Sequence, residues 1–143
     1  MKTVRRVAES PGAKTRIVIA DDNKATLIQM KEALEDGTRE IATFQNSFSA
    51  EHYLREHGGD VDVVVADFRF RRGPEAQPNG DVLCRIAKEA NPAAKTILIS
   101  GDPGDADKSC VDVVVQKSMD VAVDGSVLRR HVSRFESGFR EKV

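Results

Sequence analysis

Four short runs dense in valine and isoleucine recur along the chain: "RIVIA" at 16–20, "VDVVVADF" at 61–68, "KTILIS" at 95–100 and "VDVVVQK" at 111–117. Runs apolar on both faces suit strands that are covered on both sides, which is the condition of a parallel sheet sandwiched between helices. A fifth run, "EIATF" at 40–44, is weaker and reads as an edge strand. Between the runs the apolar period lengthens to that of a helix. Leu27, Met30 and Leu34 predict a helix from about Lys24 to Glu35, ended by Asp36-Gly37. Ala50, Tyr53, Leu54 and His57 repeat the spacing, with Ser49 as the expected N-cap and Gly58-Gly59 as the stop. Val82, Leu83, Ile86, Ala87 and Ala90 form a third stripe closed by Asn91-Pro92. Val127, Leu128, Val132 and Phe135 mark a last helix, with Arg129, Arg130 and Arg134 mostly on its wet side. The order βαβαβαβ(α)βα predicts an α/β fold, a doubly wound five-stranded parallel sheet with right-handed crossovers.

A chain of 143 residues forms about one domain with one core. Its 40% apolar residues, 31% charged residues and net charge of -1 provide no global field to draw it to nucleic acid or anionic lipid. Function must therefore reside in a local site. Residues 1–14 read as a flexible leader, 15–138 as the domain and 139–143 as a tail. No segment approaches the ~18 apolar residues of a membrane span, and the leader lacks the apolar stretch of a signal peptide. Cys84 and Cys110 have neither redox nor zinc spacing and read as reduced thiols, so a cytoplasmic location is expected.

In doubly wound folds ligands bind beyond the carboxyl ends of the strands. Asp21 and Asp22 end the first run, Asp67 stands near the end of the third, Ser100 ends the fourth and Lys117 the fifth. All of these can converge on one edge of the sheet. Three carboxylates ~5 Å apart repel by roughly 3 kcal/mol per pair at an effective dielectric of 20, so the cluster needs a proton or a cation. An all-oxygen donor set favours octahedral Mg²⁺. Taken singly, each residue has a plainer reading: an Asp after a strand is usually a helix N-cap, a lone Lys is usually solvated and a lone Ser is usually a turn residue. Joint placement outweighs those readings. His52, His57 and His131 have no ligand-spaced partner, and Cys84 reads as core packing.

The pieces "IADDN", "VVVADF", "ILISG" and "VVVQK" resemble the receiver domain of two-component response regulators over roughly residues 15–137. The resemblance implies the flavodoxin-like strand order 2-1-3-4-5. It implies Asp67 as phosphoacceptor, with Ser100 and Lys117 as its catalytic partners. Asp21, Asp22, Asp67 and the backbone carbonyl of Arg69 are implied as the Mg²⁺ site, Asp21 acting through water. A histidine kinase or histidine phosphotransfer protein is implied as donor. The chain is then a stand-alone signalling protein, at most catalysing its own phosphoryl transfer and dephosphorylation, with no direct nucleic acid or membrane partner. The downstream protein and the oligomeric state are left open.

Departures from the family pattern bear on output. The stretch "DFRFRRGPEAQPNG", residues 67–80, is long and carries three arginines, and a lid is one use for it. Ser118 replaces the proline that usually follows the lysine, and Val114 stands at the switch position where an aromatic residue is usual. The connection "GDPGDADKSC" at 101–110 is too short for a full fourth crossover helix, so that helix is expected to be shortened or absent, with one turn from about Asp105. The partner surface is therefore expected on the last helix or the arginine loop. Arg69 and Asp102 are expected to tune the lifetime of the phosphoryl group. Two other functions compete. One is a receiver-like protein-binding scaffold not regulated by phosphorylation. The other is a phosphatase of the haloacid dehalogenase type, which wants a second acid two residues after the nucleophile, where Arg69 sits.

Overall fold

The structure is a computed structural model that describes residues 13–70, 77–101, 104, 106–117 and 123–141. Five strands, β1 (Thr15–Ala20), β2 (Arg39–Phe44), β3 (Val63–Asp67), β4 (Lys95–Ser100) and β5 (Val113–Gln116), form one sheet. The helices are α1 (Lys24–Leu34), α2 (Ser47–His57), α3 (Gly80–Ala90) and α4 (Gly125–Glu141). All pairings are parallel and the strand order is β2-β1-β3-β4-β5, with the weak second strand at an edge as its composition predicts.

The core follows from period-two alternation within strands that are buried on both faces. Ile17, Ile19, Val63, Val65, Ile97 and Ile99 point to one face, where Leu27, Met30 and Leu34 of α1 and Leu128 and Val132 of α4 cover them. Val18, Ala20, Val64 and Ala66 point to the other, under Ala50 and Leu54 of α2 and Leu83, Ile86 and Ala87 of α3. Cys84 is buried, and burial pushes its thiol up to about 12, which suits a packing role.

Some local expectations shift. The N-cap of α2 is Asn46, whose side chain accepts from the Ser49 amide, so Ser49 lies inside the helix it was expected to begin. The third and fifth strands are shorter than the apolar runs that signal them. Past Gly138, α4 continues, and Phe139 is buried in the core. Between β4 and β5, a 3-10 turn at Lys108–Cys110 stands in place of the turn expected from Asp105. Among the described residues no fourth crossover helix is present. Asp107 caps the turn through the Ser109 amide, and the Asp107 amide donates to Asp81 Oδ2 of α3 at 2.8 Å. The Lys88 ammonium of α3 holds Asp112 at 2.7 Å, and Asp112 also accepts from the Thr96 amide of β4. A short crossover is thus tied to the flank of α3 instead of building its own helix. The middle of the expected lid (71–76 of the 67–80 stretch), Asp102, Asp105, Ser118 and most of the leader lie outside the described residues.

Candidate phosphoacceptor site

The polar ends of β1 and β3 meet because the two strands are neighbours in the sheet, with Ala20 paired to Ala66. One carboxylate oxygen each from Asp21, Asp22 and Asp67 gather within 4.8 Å of one another. Asp21 is fully buried and Asp67 nearly so, while Asp22 is half-buried. From the end of β5, Lys117 Nζ reaches Asp67 Oδ1 at 2.6 Å. Ser100 ends β4 with its residue buried, and its carbonyl accepts from the Lys117 amide at 3.2 Å. The structure therefore brings together the acids, the hydroxyl residue and the lysine that the sequence distributes over four strand ends.

The electrostatics are those of a site short of positive charge. Burial, then the neighbouring Asp67 charge, pushes the Asp21 carboxyl up to about 6. Burial also raises Asp67, opposed by its hydrogen bond to Lys117. Burial disfavours the Lys117 charge, yet the bond to Asp67 and the surrounding carboxylates outweigh it and hold the ammonium above its ordinary range. Asp21 Oδ1 accepts from the Asn23 amide at 2.8 Å, whereas its Oδ2 is buried without a hydrogen-bond partner. A buried carboxylate oxygen left unmatched beside two other acids fits a small oxygen-seeking dication such as Mg²⁺.

Residues that the pattern alone does not single out hold Asp67 in place. A Cβ built on Gly80 would lie 2.1 Å from the Asp67 carbonyl oxygen and 3.0 Å from Leu98 Cδ1, so only glycine lets α3 start this close to the end of β3. The Gly80 amide donates to the Phe68 carbonyl at 2.7 Å. Asn79 directs its side-chain oxygen to the Phe70 amide at 3.3 Å instead of capping its own helix. Phe68 and Phe70 are buried, and between them the Arg69 guanidinium lies 4.7 Å over the Phe68 ring. The "NG" before the third helix is the only trace of this in sequence, where it reads as a turn. Gly80→Ala is expected to destabilise the fold by about 1–3 kcal/mol, because overpacking at backbone has no rotamer to escape into. Urea unfolding of the two forms measures it; a change within error would mean the loop yields freely.

Val114, where the resemblance leads one to expect an aromatic residue, is half-buried and paired with Leu98. His52 and His57 lie on α2 and His131 on α4, away from the acid cluster. No helix among the described residues is long and apolar enough to cross a membrane.

No protein-family model matches the sequence, and no curated protein matches it significantly. Solved structures do match. The CheY-like response regulator receiver domain protein of Methanospirillum hungatei is 17% identical with a TM-score of 0.72, covering 92% of this chain and all of that one. The BeF3-activated DrrB receiver domain is 25% identical with a TM-score of 0.65, covering 85% of this chain and 97% of that one. A chain of the CheX-CheY-BeF3-Mg complex of Borrelia burgdorferi is 22% identical with a TM-score of 0.66, covering 87% of this chain and 91% of that one. With five parallel strands in the order 2-1-3-4-5 and an acid cluster at their carboxyl ends, this chain takes the fold of the CheY-like response regulator receiver domains.

Proposed function

We propose that this chain is a receiver domain that accepts a phosphoryl group on Asp67 from a histidine kinase or histidine phosphotransfer protein. The observation that carries the reading is the gathering of Asp67 with Asp21, Asp22 and Lys117, with one buried Asp21 oxygen left unpartnered. A carboxylate oxygen of Asp67 attacks phosphorus as the bond to the donor nitrogen breaks, leaving an acyl phosphate and a free imidazole. Lys117, already on Asp67, balances charge on the transferring oxygens as a compact cation. Ser100, ending the neighbouring strand, takes a phosphoryl oxygen by hydrogen bond and draws its loop inward. Asp21, Asp22, Asp67 and the Arg69 carbonyl would hold Mg²⁺, whose charge neutralises the phosphoryl oxygens when it is bound. The magnesium-containing CheY complex is consistent with such a group.

Native protein incubated with Mg²⁺ and a small acyl phosphate is expected to gain the mass of one phosphoryl group. Asp67→Asn, or native protein with chelator, should gain none. Uptake by Asp67→Asn at the native rate would refute the assignment. A second reading, a binding scaffold indifferent to phosphorylation, is favoured by Val114 and by the 3-10 turn in place of a crossover helix. It predicts no uptake by native protein either. Arg69 is expected to tune the phosphoryl lifetime along with Asp102, so that Arg69→Glu alters the dephosphorylation rate followed by mass; an unchanged rate removes that role.

A further inference from the structure

The open edge of β2 carries features that the phosphoacceptor site does not use. Asp21 N donates to Phe44 O and Thr15 N to Thr38 O, so in this parallel register Glu40, Ala42 and Phe44 direct their backbone groups to β1. The N–H and C=O of Ile41 and Thr43 therefore point outward, and among the described residues nothing takes them up. Natural edges are usually blunted by charged side chains, proline or a bulge; "REIATF" has no proline, its register with β1 is unbroken, and with Arg39 buried Glu40 is its one exposed charge. Ile28 and Phe48, 48% and 43% exposed, are the large apolar residues exposed among the described ones, and they flank this edge from α1 and α2. Cavities lie against it on both faces, one of about 440 Å³ beside Phe44, Phe48 and Tyr53 and one of about 250 Å³ beside Ile28 and Thr43. Outward backbone groups with alternating pockets are what an added strand requires.

We propose that the occupant is the β2 strand of a second copy of this chain, paired antiparallel about a two-fold axis at Ala42. That axis sets Ile41 of each copy opposite Thr43 of the other, so each pair exchanges both outward hydrogen bonds. Ala42 meets its equivalent in the closer, non-hydrogen-bonded pairing, where a small side chain is needed. Glu40 falls opposite Phe44 rather than its own equivalent, avoiding a like-charge contact. The same rotation turns the start of α1 in one copy toward its end in the other. Lys24, beside the cavity that Ile28 lines, then approaches Glu35, the exposed C-cap, of the other copy. This charge and register complementarity favours a second copy over an unrelated peptide.

Native protein is expected to sediment as a concentration-dependent dimer. Thr43→Pro removes only an outward donor and should weaken association by about tenfold or more, since two hydrogen bonds are lost per dimer. Its melting curve reports whether the monomer remains folded. Ala42→Cys in a Cys110→Ser background should form an intermolecular disulfide on mild oxidation, because Cα atoms ~4.5 Å apart across such a pair suit the bond. Gly37→Cys in that background, exposed but off the axis, is the control. A native protein that stays monomeric through the concentration series, or Ala42→Cys linking no faster than Gly37→Cys, overturns the proposal; the latter arm decides if Thr43→Pro fails to fold.

Discussion

Replacing Glu136 with alanine should cost the fold about 3–5 kcal/mol, lowering the melting temperature by roughly 10–20 °C. Glu136 on α4 and Arg39 at the start of β2 are both nearly inaccessible, and they meet in a two-bond pair, Nε to Oε2 at 3.0 Å and Nη2 to Oε1 at 2.8 Å. The same guanidinium donates to the Leu34 carbonyl at the end of α1 and to Ser133 Oγ, while Thr15 of β1 donates to Glu136 Oε2 at 2.7 Å. Hydrogen bonding to Glu136 is the main force holding Arg39 above its ordinary range, ahead of the burial that opposes it. Truncation would leave the buried guanidinium with only the exposed Asp36 carboxylate, 3.7 Å away, as counter-charge, and Thr15 without its acceptor. The effect comes from stranding a charge rather than from the worth of the pair. Arg39→Met combined with Glu136→Leu should therefore recover most of the loss. Denaturant unfolding decides it: a Glu136→Ala loss below about 1 kcal/mol would mean that water reaches the site.

Asp21→Asn is expected to do the reverse, stabilising the metal-free protein by about 3 kcal/mol at neutral pH. The native Asp21 carboxyl titrates at about 6 against 3.8 when unfolded, and each pH unit of difference corresponds to about 1.4 kcal/mol. Below pH 4 both states hold the proton and the residue is neutral to stability. Between about pH 4 and 6 the unfolded chain releases its proton while the native state retains it, so native stability falls as pH rises. Above that window the cost is constant. Asparagine lacks the charge, and its carbonyl can still accept from the Asn23 amide. Unfolding curves in chelator at pH 4 and pH 7.5 should coincide at the first and separate at the second. Mg²⁺ should then stabilise the native protein more than the variant. An Asp21→Asn form weaker than native in chelator at pH 7.5 would show that the carboxylate is not strained.

Both effects turn on contacts that no local pattern records. Glu136 and Arg39 lie 97 positions apart, and each in its own segment looks like an ordinary solvated charge. Likewise, Gly80 lies against the Asp67 carbonyl because β3 and the start of α3 are pressed together. Ser49 was a fair N-cap by composition, but the chain entered α2 one turn earlier and used Asn46.

What the chain determined by itself was the alternation of strands and helices, the edge position of the second strand, the brevity of the crossover after β4 and the polar residues at strand ends. Those properties repeat every two or 3.6 residues, or depend on how many residues a connection spans, so they survive in one dimension. The tertiary structure alone decided that Asp21 would be sealed from water with an unmatched oxygen and that Arg39 would find Glu136. Burial and pairing depend on distances across the sheet, and those exist only once the strands have been ordered.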